Sequence, residues 1–436
     1  MTRPNETLRA EEHESPHSDS FAELEGGRIL RATSTGGATS FRTSDDAGAT
    51  WSEPFEGRIK SGGAMTGSNL SQLSGNSVAM VTGVRAENPN AYPYGPEKIE
   101  GRTLFWRSDD AGATWHGPTD VAAPGVTIHG GRVIQLASGR LVLPTYLSLG
   151  QSFGPMAALG ELGGVGKLLR GQWTRTSGHT YDPGFSCCRV YYSDDGGGTW
   201  QPNSDGELLV GLDANTKFSF TNEPTATEVE PGTVLMLMRT GLGRQFQSWS
   251  YDDGSTWTRP SPTSLASSTA PAEIRTLPNG HLLVVWTQQG GDEIRRGFLR
   301  TRLSTAISRN GGSAWEFFQN LESLHEETRV EPGPIGRYAP EEYHLEPGAA
   351  APERDPSYVT QVQEHDVFDY PDVFVYKDRV FISYNCRYFT DHPTEARLVV
   401  RHVVKLKVLP LSWFYGGKEP ADNPFLPRAG YRPTWG

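Results

Sequence analysis

Apolar and polar residues alternate with a period of two in short runs along this 436-residue chain, and the runs come in pairs. Phe21-Ala22-Glu23-Leu24 precedes Arg28-Ile29-Leu30, and Leu70-Ser71-Gln72-Leu73 precedes Val78-Ala79-Met80. Val133-Ile134-Gln135-Leu136 leads to Arg140-Leu141-Val142-Leu143, and Ala226-Thr227-Glu228-Val229 leads to Val234-Leu235-Met236-Leu237. Ile274-Arg275-Thr276-Leu277 is followed by His281-Leu282-Leu283-Val284-Val285. Val373-Phe374-Val375-Tyr376 is followed by Val380-Phe381-Ile382-Ser383-Tyr384, with Lys377-Asp378 where the other pairs have a turn near glycine. A period of two is that of a strand, whose successive side chains point to opposite faces. No stretch carries a convincing helical period. The pattern predicts an all-β chain, and six spaced hairpins predict a six-bladed β-propeller.

Five of the hairpins are followed by one repeated turn of the form S-x-D-x-G-x-T-W. It occurs at Ser44–Trp51, Ser108–Trp115, Ser193–Trp200 and Ser250–Trp257, and in altered form at Ser308–Trp315, with Asn310 for Asp and Ala314 for Thr. Asp accepts backbone N–H bonds within the turn, Gly supplies a backbone angle other residues resist, and Trp anchors the hairpin to the neighbouring sheet. The repeats are therefore scaffold, and they set the register of the blades. The sixth blade lacks the turn, and its outer strands are expected from 398–408, helped by an N-terminal strand that closes the ring. Two segments, 150–186 and 316–369, do not fit a bare propeller and are expected to be inserted loops able to lid a pocket. The first fifteen residues are polar and acidic with no apolar run. They are expected to be a disordered start, leaving 16–436 as a single propeller domain.

A formal net charge of −11 argues against nucleic acid and anionic membranes as partners. The longest apolar stretches, such as 233–238 and 281–286, are far below the run of about twenty needed to span a bilayer. Cys187, Cys188 and Cys386 form no disulfide framework, and without an export signal the expected location is the cytoplasm. No His/Cys/Asp cluster has metal-ligand spacing, so neither metal nor cofactor is expected.

Aligning the hairpins on their turns puts His17, Met65, His129, Glu223, Pro271 and Tyr370 at the starts of the inner strands, around the central channel. Four of these six can transfer protons or attack as nucleophiles. Asn222-Glu223-Pro224, with Arg239 sixteen residues after Glu223, forms one further signal, and Tyr370-Pro371-Asp372 another.

The repeated turn resembles the Asp box of the bacterial sialidases and their relatives, which joins the outer two strands of a propeller blade on the face away from the active site. Glu223 and Arg239 are similar in spacing to the sialidase pair of a buried Glu and a carboxylate-binding Arg. Arg300, eight residues before the fifth turn, matches another arginine of the family triad. Tyr370-Pro371-Asp372 resembles the segment that carries the nucleophilic Tyr. The resemblance implies Tyr370 as nucleophile, Glu223 as its base, and Arg239 and Arg300 on a substrate carboxylate; His17, from the alignment of strand starts, and Arg132 and Arg244, in further family-like stretches, are the other expected substrate contacts. A neutral phenol attacks beside a carboxylate more readily than an anion would, and a guanidinium grips a carboxylate bidentately.

Two family elements are missing. His17-Ser18-Asp19-Ser20-Phe21 stands where sialidases carry their first arginine, and no Asp lies between Asp46 and Asp109 to act as acid. Arg28, Arg31 or Arg42 from blade one is expected to replace the arginine, and Asp19 or His129 the acid, and nothing in the spacing chooses among them. The closer resemblance is to the broad group of sialidase-like BNR-repeat proteins. Three functions follow. One is an exo-glycosidase releasing a terminal acidic sugar from a glycan. The second is a lyase on a uronate-containing glycan with His129 and Tyr370 as base and acid, and the third a non-catalytic glycan-binding propeller.

Overall fold

The computed structural model of the chain describes residues 7–15, 17–34, 38–60, 65, 69–85, 101–122, 132–149, 164–169, 172–175, 185–204, 208, 221–296, 298–336, 344–345, 365–391 and 398–417. Among the described residues its strands form one small sheet and six blade sheets arranged as a propeller, the blades antiparallel except where Arg58–Ile59 pairs in parallel with Thr114–Trp115 at the outer edge of blade two. Blade one runs outward through Ser20–Glu23, Ile29–Ser34, Thr39–Ser44 and Phe55–Glu56. Blade two begins at Leu70–Gln72 and blade three at Ile134–Gln135. Blade four is Asn222–Glu230, Thr233–Arg239, Arg244–Ser250 and Ser261–Ala266. Blade five is Ala272–Thr276, Leu282–Thr287, Arg302–Ser308 and Glu316–Ser323. Blade six is Val367–Tyr376, Arg379–Asp391, Leu398–Pro410 and, outermost, Arg9–His13. The first strands of neighbouring blades touch in turn around the whole ring, blade six against blade one included.

The core is six apolar seams, one between each pair of neighbours. On the second strand of blade four, Val234, Met236 and Met238 pack toward blade three. Leu235 and Leu237, between them, pack toward blade five. A strand covered on both faces has no reason to alternate, which explains why the second run of each hairpin is the more continuously apolar. Ring closure adds a seam in which Phe21 and Ile29 meet Phe374, Phe381 and Leu406.

Two expectations are corrected. Arg9–His13 is not a disordered start but a strand paired with Val404–Val408. Its sequence, Arg-Ala-Glu-Glu-His, carries no apolar signal because an outermost strand needs no buried face. Its order comes from the open ladder edge of Leu398–Pro410. The second insertion is also shorter than 316–369, since Glu316–Ser323 completes blade five and Val367 already begins blade six. The two insertions pair with each other: Gly164–Leu169 lies between Gln172–Arg175 and His344–Leu345 in a separate small sheet.

The repeated turns share one hydrogen-bond pattern. Ser44 Oγ accepts the Gly48 N–H (2.8 Å) and donates to Asp46 (2.8 Å), whose two oxygens take the N–H and hydroxyl of Thr50 at 2.8 and 2.6 Å. The Thr50 hydroxyl, then its N–H and Ser44, hold the Asp46 carboxyl down at about 2. The fifth turn keeps the backbone bonds through Asn310 at 2.9 Å and, with Ala314, loses the hydroxyl contact. Each turn presses its glycine on the preceding blade. Gly197, at φ +97°, faces Phe105 so closely that a Cβ would lie 2.1 Å from the ring, while Trp115 stacks on Phe41 of blade one at 5.7 Å.

Gly139, at φ +89°, has open space around it. Alanine there should cost only the left-handed backbone, about 1–2 kcal/mol. Gly197→Ala should cost about 1–3 kcal/mol more, because the methyl has no room. Urea unfolding of the two variants checks this, and equal losses would refute the packing role of the turn.

Candidate functional site

Two innermost strands carry the same local device. Glu223 precedes Pro224 and Tyr370 precedes Pro371, and proline has no N–H to give the ladder. Each strand bulges there, with register shifts between Asn222 and Thr225 and between Asp369 and Asp372. Glu223 and Tyr370 sit at φ 38° and 50°, in the left-handed region. Arg300, leading into the third strand of blade five, joins them at φ 59°. Such backbone costs about 1–3 kcal/mol per residue and persists only where the surroundings hold it. The Arg300 N–H donates to Gln289 Oε1 (2.7 Å) and its carbonyl accepts the Phe368 N–H (2.9 Å). Ser18 Oγ donates to the Tyr370 carbonyl at 2.7 Å.

The three strained residues meet. Tyr370 Oη donates to Glu223 Oε1 at 2.9 Å, and Arg239 pairs with the other oxygen of the same carboxylate. Arg300 lies over the Tyr370 ring, 5.6 Å from its centroid. It donates to Asp369 Oδ2 at 2.6 Å and to the Thr269 carbonyl at 2.9 Å. Arg387, on the second strand of blade six, pairs with that same Asp369 oxygen. These groups border a cavity of about 380 Å³ lined by Arg239, Arg300, Asp369, Tyr370, Asn385, Arg387 and His402. Three guanidinium groups face two carboxylates, so the site has a positive excess suited to an anion.

Burial opposes ionisation of Glu223, but Arg239, then Arg300 and the Tyr370 hydroxyl, outweigh it and hold the carboxyl below its ordinary value. Asp369 is likewise held low against burial by Arg300 and Arg387. Burial and the adjacent Glu223 push the Tyr370 phenol up to about 12, with Arg239 and Arg300 opposing. The arrangement is a neutral phenol hydrogen-bonded to a carboxylate base at the floor of a cationic pocket.

Of the residues singled out in the sequence, the structure brings Glu223, Arg239, Arg300 and Tyr370 together, and the other described candidates His17, Arg132 and Arg244 go elsewhere. His129 lies outside the described residues. His17 is exposed near His402 and does not line the cavity. Arg132 pairs with Asp372, tying blade three to the bulge of blade six, beside the Arg275–Glu273 pair. Arg244 lies on the third strand of blade four and donates to the carbonyls of Thr263 and Gly333. Met65 is buried in the seam of blades one and two.

Among the described residues, the expected substitutes Arg28, Arg31, Arg42 and Asp19 do not line the pocket either. Arg28 pairs with Asp45 at 2.7 Å beside the first repeated turn, and Arg42 is exposed on the third strand of blade one. Asp19 is fully buried, with its oxygens taken by Arg31 (2.6 Å), Thr33 (2.8 Å) and His13 (3.2 Å).

The third guanidinium comes instead from blade six. Arg387 and Asn385 lie on the second strand of blade six and His402 on the third, away from the first-strand starts that the turn register picks out, while Asp369 lies on the first strand just before Tyr370. The available signal was Asn385 and Arg387 at alternate positions in an otherwise apolar run. The turn and the pocket lie at opposite ends of a blade: in blade four Asn222 pairs with Arg239 at one end, and Val234 with Ser250, which starts the turn, at the other.

Residues 91–382 match the BNR repeat-like domain. Among solved structures, a protein of unknown function from Dyadobacter fermentans is 15% identical, with a TM-score of 0.51 over 93% of this chain and 98% of that one. Hadza microbial sialidase Hz136 is 16% identical, with a TM-score of 0.51 over 91% of this chain and 66% of its own. A variant of NanB sialidase from Streptococcus pneumoniae is 13% identical, with a TM-score of 0.52 over 91% and 68%. The chain thus spans about two thirds of the length of these two sialidases. No curated protein matches the chain by sequence. At these identities the likeness concerns the fold.

The ordinary carboxyl values of Glu223 and Asp369 are 4.5 and 3.8, and both groups are held lower in the folded chain. Their ionised contribution to stability is therefore fully present above those values and lost as pH falls through the folded midpoints. Urea unfolding from pH 6 down to about pH 3 should show that acid-side decline, and Asp369→Asn should flatten it. An unchanged slope in the variant would contradict an ionised Asp369 between two arginines.

Proposed function

The chain belongs to the BNR repeat-like domain family, and from that premise we propose that it is a sialidase-like exo-glycosidase acting on a terminal sugar that carries a carboxylate. The observation that carries the reading is the 2.9 Å hydrogen bond from Tyr370 Oη to Glu223 Oε1 beneath Arg239, Arg300 and Arg387. The three guanidinium groups receive the carboxylate of the sugar, and this fixes the anomeric carbon over Tyr370. Glu223 takes the phenol proton as Tyr370 Oη attacks, so the charge built on oxygen never exists as a free phenolate. Attack by a neutral phenol also avoids the repulsion that an anionic nucleophile would meet at a carbon bearing a carboxylate. A covalent tyrosyl glycoside results, which water then hydrolyses. That solved sialidases share the fold supports the reading as analogy of architecture.

Among a panel of aryl glycosides of acidic sugars, the wild-type chain is expected to turn over at least one. Tyr370→Phe should abolish that turnover with the fold retained, and Glu223→Gln should lower kcat by about 10²–10⁴-fold. Full activity in Tyr370→Phe would end the nucleophile assignment. Arg387→Ala should act differently, raising KM by about 10–100-fold, the worth of one charge-assisted contact to the carboxylate.

A further inference from the structure

A glycosidase must also protonate the oxygen of the departing group, and the expected acid between Asp46 and Asp109 does not exist in this chain. The pocket narrows the choice. Asp369 is buried with one oxygen shared by Arg300 and Arg387, and Tyr370 has its hydroxyl on Glu223. Arginine holds its proton at any working pH, and Asn385 has none to give. Among the described residues that line the cavity, this leaves one group able to give up a proton near neutrality, the imidazole of His402. Its position also fits. His402 is the direct cross-strand partner of Arg387, so the two side chains stand side by side, and His402 is exposed where Tyr370 and Asp369 are not. On the glycosidase reading, the departing group leaves through the open side of the pocket, where His402 is exposed.

We propose that His402 is the general acid and base of the reaction, in place of a carboxylic acid. This rests on the glycosidase reading above and adds to it the missing proton carrier. As Tyr370 Oη bonds to the anomeric carbon and Glu223 takes the phenol proton, the bond to the aglycone oxygen breaks. That oxygen keeps the electron pair and receives a proton from the His402 imidazolium. In the second step water attacks the anomeric carbon and gives its proton to the now neutral His402. The Tyr370 oxygen leaves and recovers its proton from Glu223, so both groups end as they began. The charged groups facing His402 are Arg387 on the adjacent strand, Asp369 on the innermost strand and His17 ahead of blade one. Burial and then Arg387 lower its imidazole below the ordinary 6.5, with Asp369 opposing. The acid form is thus present on the acid side of neutrality and lost as pH rises through a midpoint below 6.5.

The dependence on the leaving group tests this. A methyl glycoside, whose alkoxide leaves poorly, needs the acid, while a para-nitrophenyl glycoside scarcely does. With glycosides of the acidic sugar that the wild-type chain cleaves best, His402→Ala should slow the methyl glycoside about 10²–10⁴-fold. The bond-breaking step of the para-nitrophenyl glycoside should slow by less than about tenfold. Azide, a nucleophile that needs no base, should then accelerate para-nitrophenyl turnover in the variant and not in the wild type. In the wild type, kcat/KM for the methyl glycoside should fall as pH rises through the His402 midpoint, a limb absent from the para-nitrophenyl profile. That measurement needs no variant. Equal losses with both leaving groups, no azide effect, or identical pH profiles would overturn the assignment of His402 and leave the glycosidase reading standing. Failure of the wild-type chain to cleave any acidic glycoside would remove that reading, and the role of His402 with it.

Discussion

Every blade of this protein is a sheet with two apolar faces, and such a sheet is stable in water only between two others. Each buried Leu, Val or Phe in a seam contributes about 1.5–3 kcal/mol, but only if the neighbouring blade is there to cover it. The requirement propagates around the ring until blade six meets blade one, where Phe21 lies against Phe374 and Phe381. Arg9–His13 then pairs with Leu398–Pro410, so that an early and a late strand share one blade. The starts of six innermost strands are thereby gathered around one channel, whatever their chemistry. The site inherits its position from the packing.

What the packing gathers is expensive to bury. Ionised groups are tolerated inside only when they are paired, and the centre of the ring is organised accordingly. Glu223 answers Arg239, Asp369 serves both Arg300 and Arg387, Asp372 meets Arg132, and Glu273 meets Arg275. Asp369 and Asp372 flank the strained Tyr370-Pro371 step and are tied to three different blades. The strain at Glu223, Arg300 and Tyr370 is thus held by charge pairing on either side, and it aims three functional groups at one point. Relaxed strands would have pointed successive side chains to alternate faces.

Much of this was legible beforehand. A period of two, six turns, four copies of an Asp-centred loop and a fifth with Asn310 are local features, and local features survive in one dimension. The pairing of Glu223 with Arg239 was also legible, because the two residues are cross-strand neighbours in one hairpin and a hairpin has a fixed register. That an N-terminal strand closes blade six was expected, but its place at Arg9–His13 was not legible, because a strand that borrows its order from an edge needs no apolar pattern. Arg132 and Arg244 stood beside Arg239 among the expected substrate contacts. Only the bulges and the channel partners separate them.

The sequence by itself determined the class of fold, the number of blades, the end of each blade that borders the central pocket, and four of the groups at that end. These follow from periodicity and from turn chemistry, which act over a few residues. The tertiary structure alone decided which guanidinium completes the set. Arg387 reaches Arg300 through a carboxylate they share, and His402 reaches the pocket by standing opposite Arg387 in the ladder. Those relations join residues from different strands and blades. They exist only after ring closure has set the distances, and no spacing along the chain encodes them.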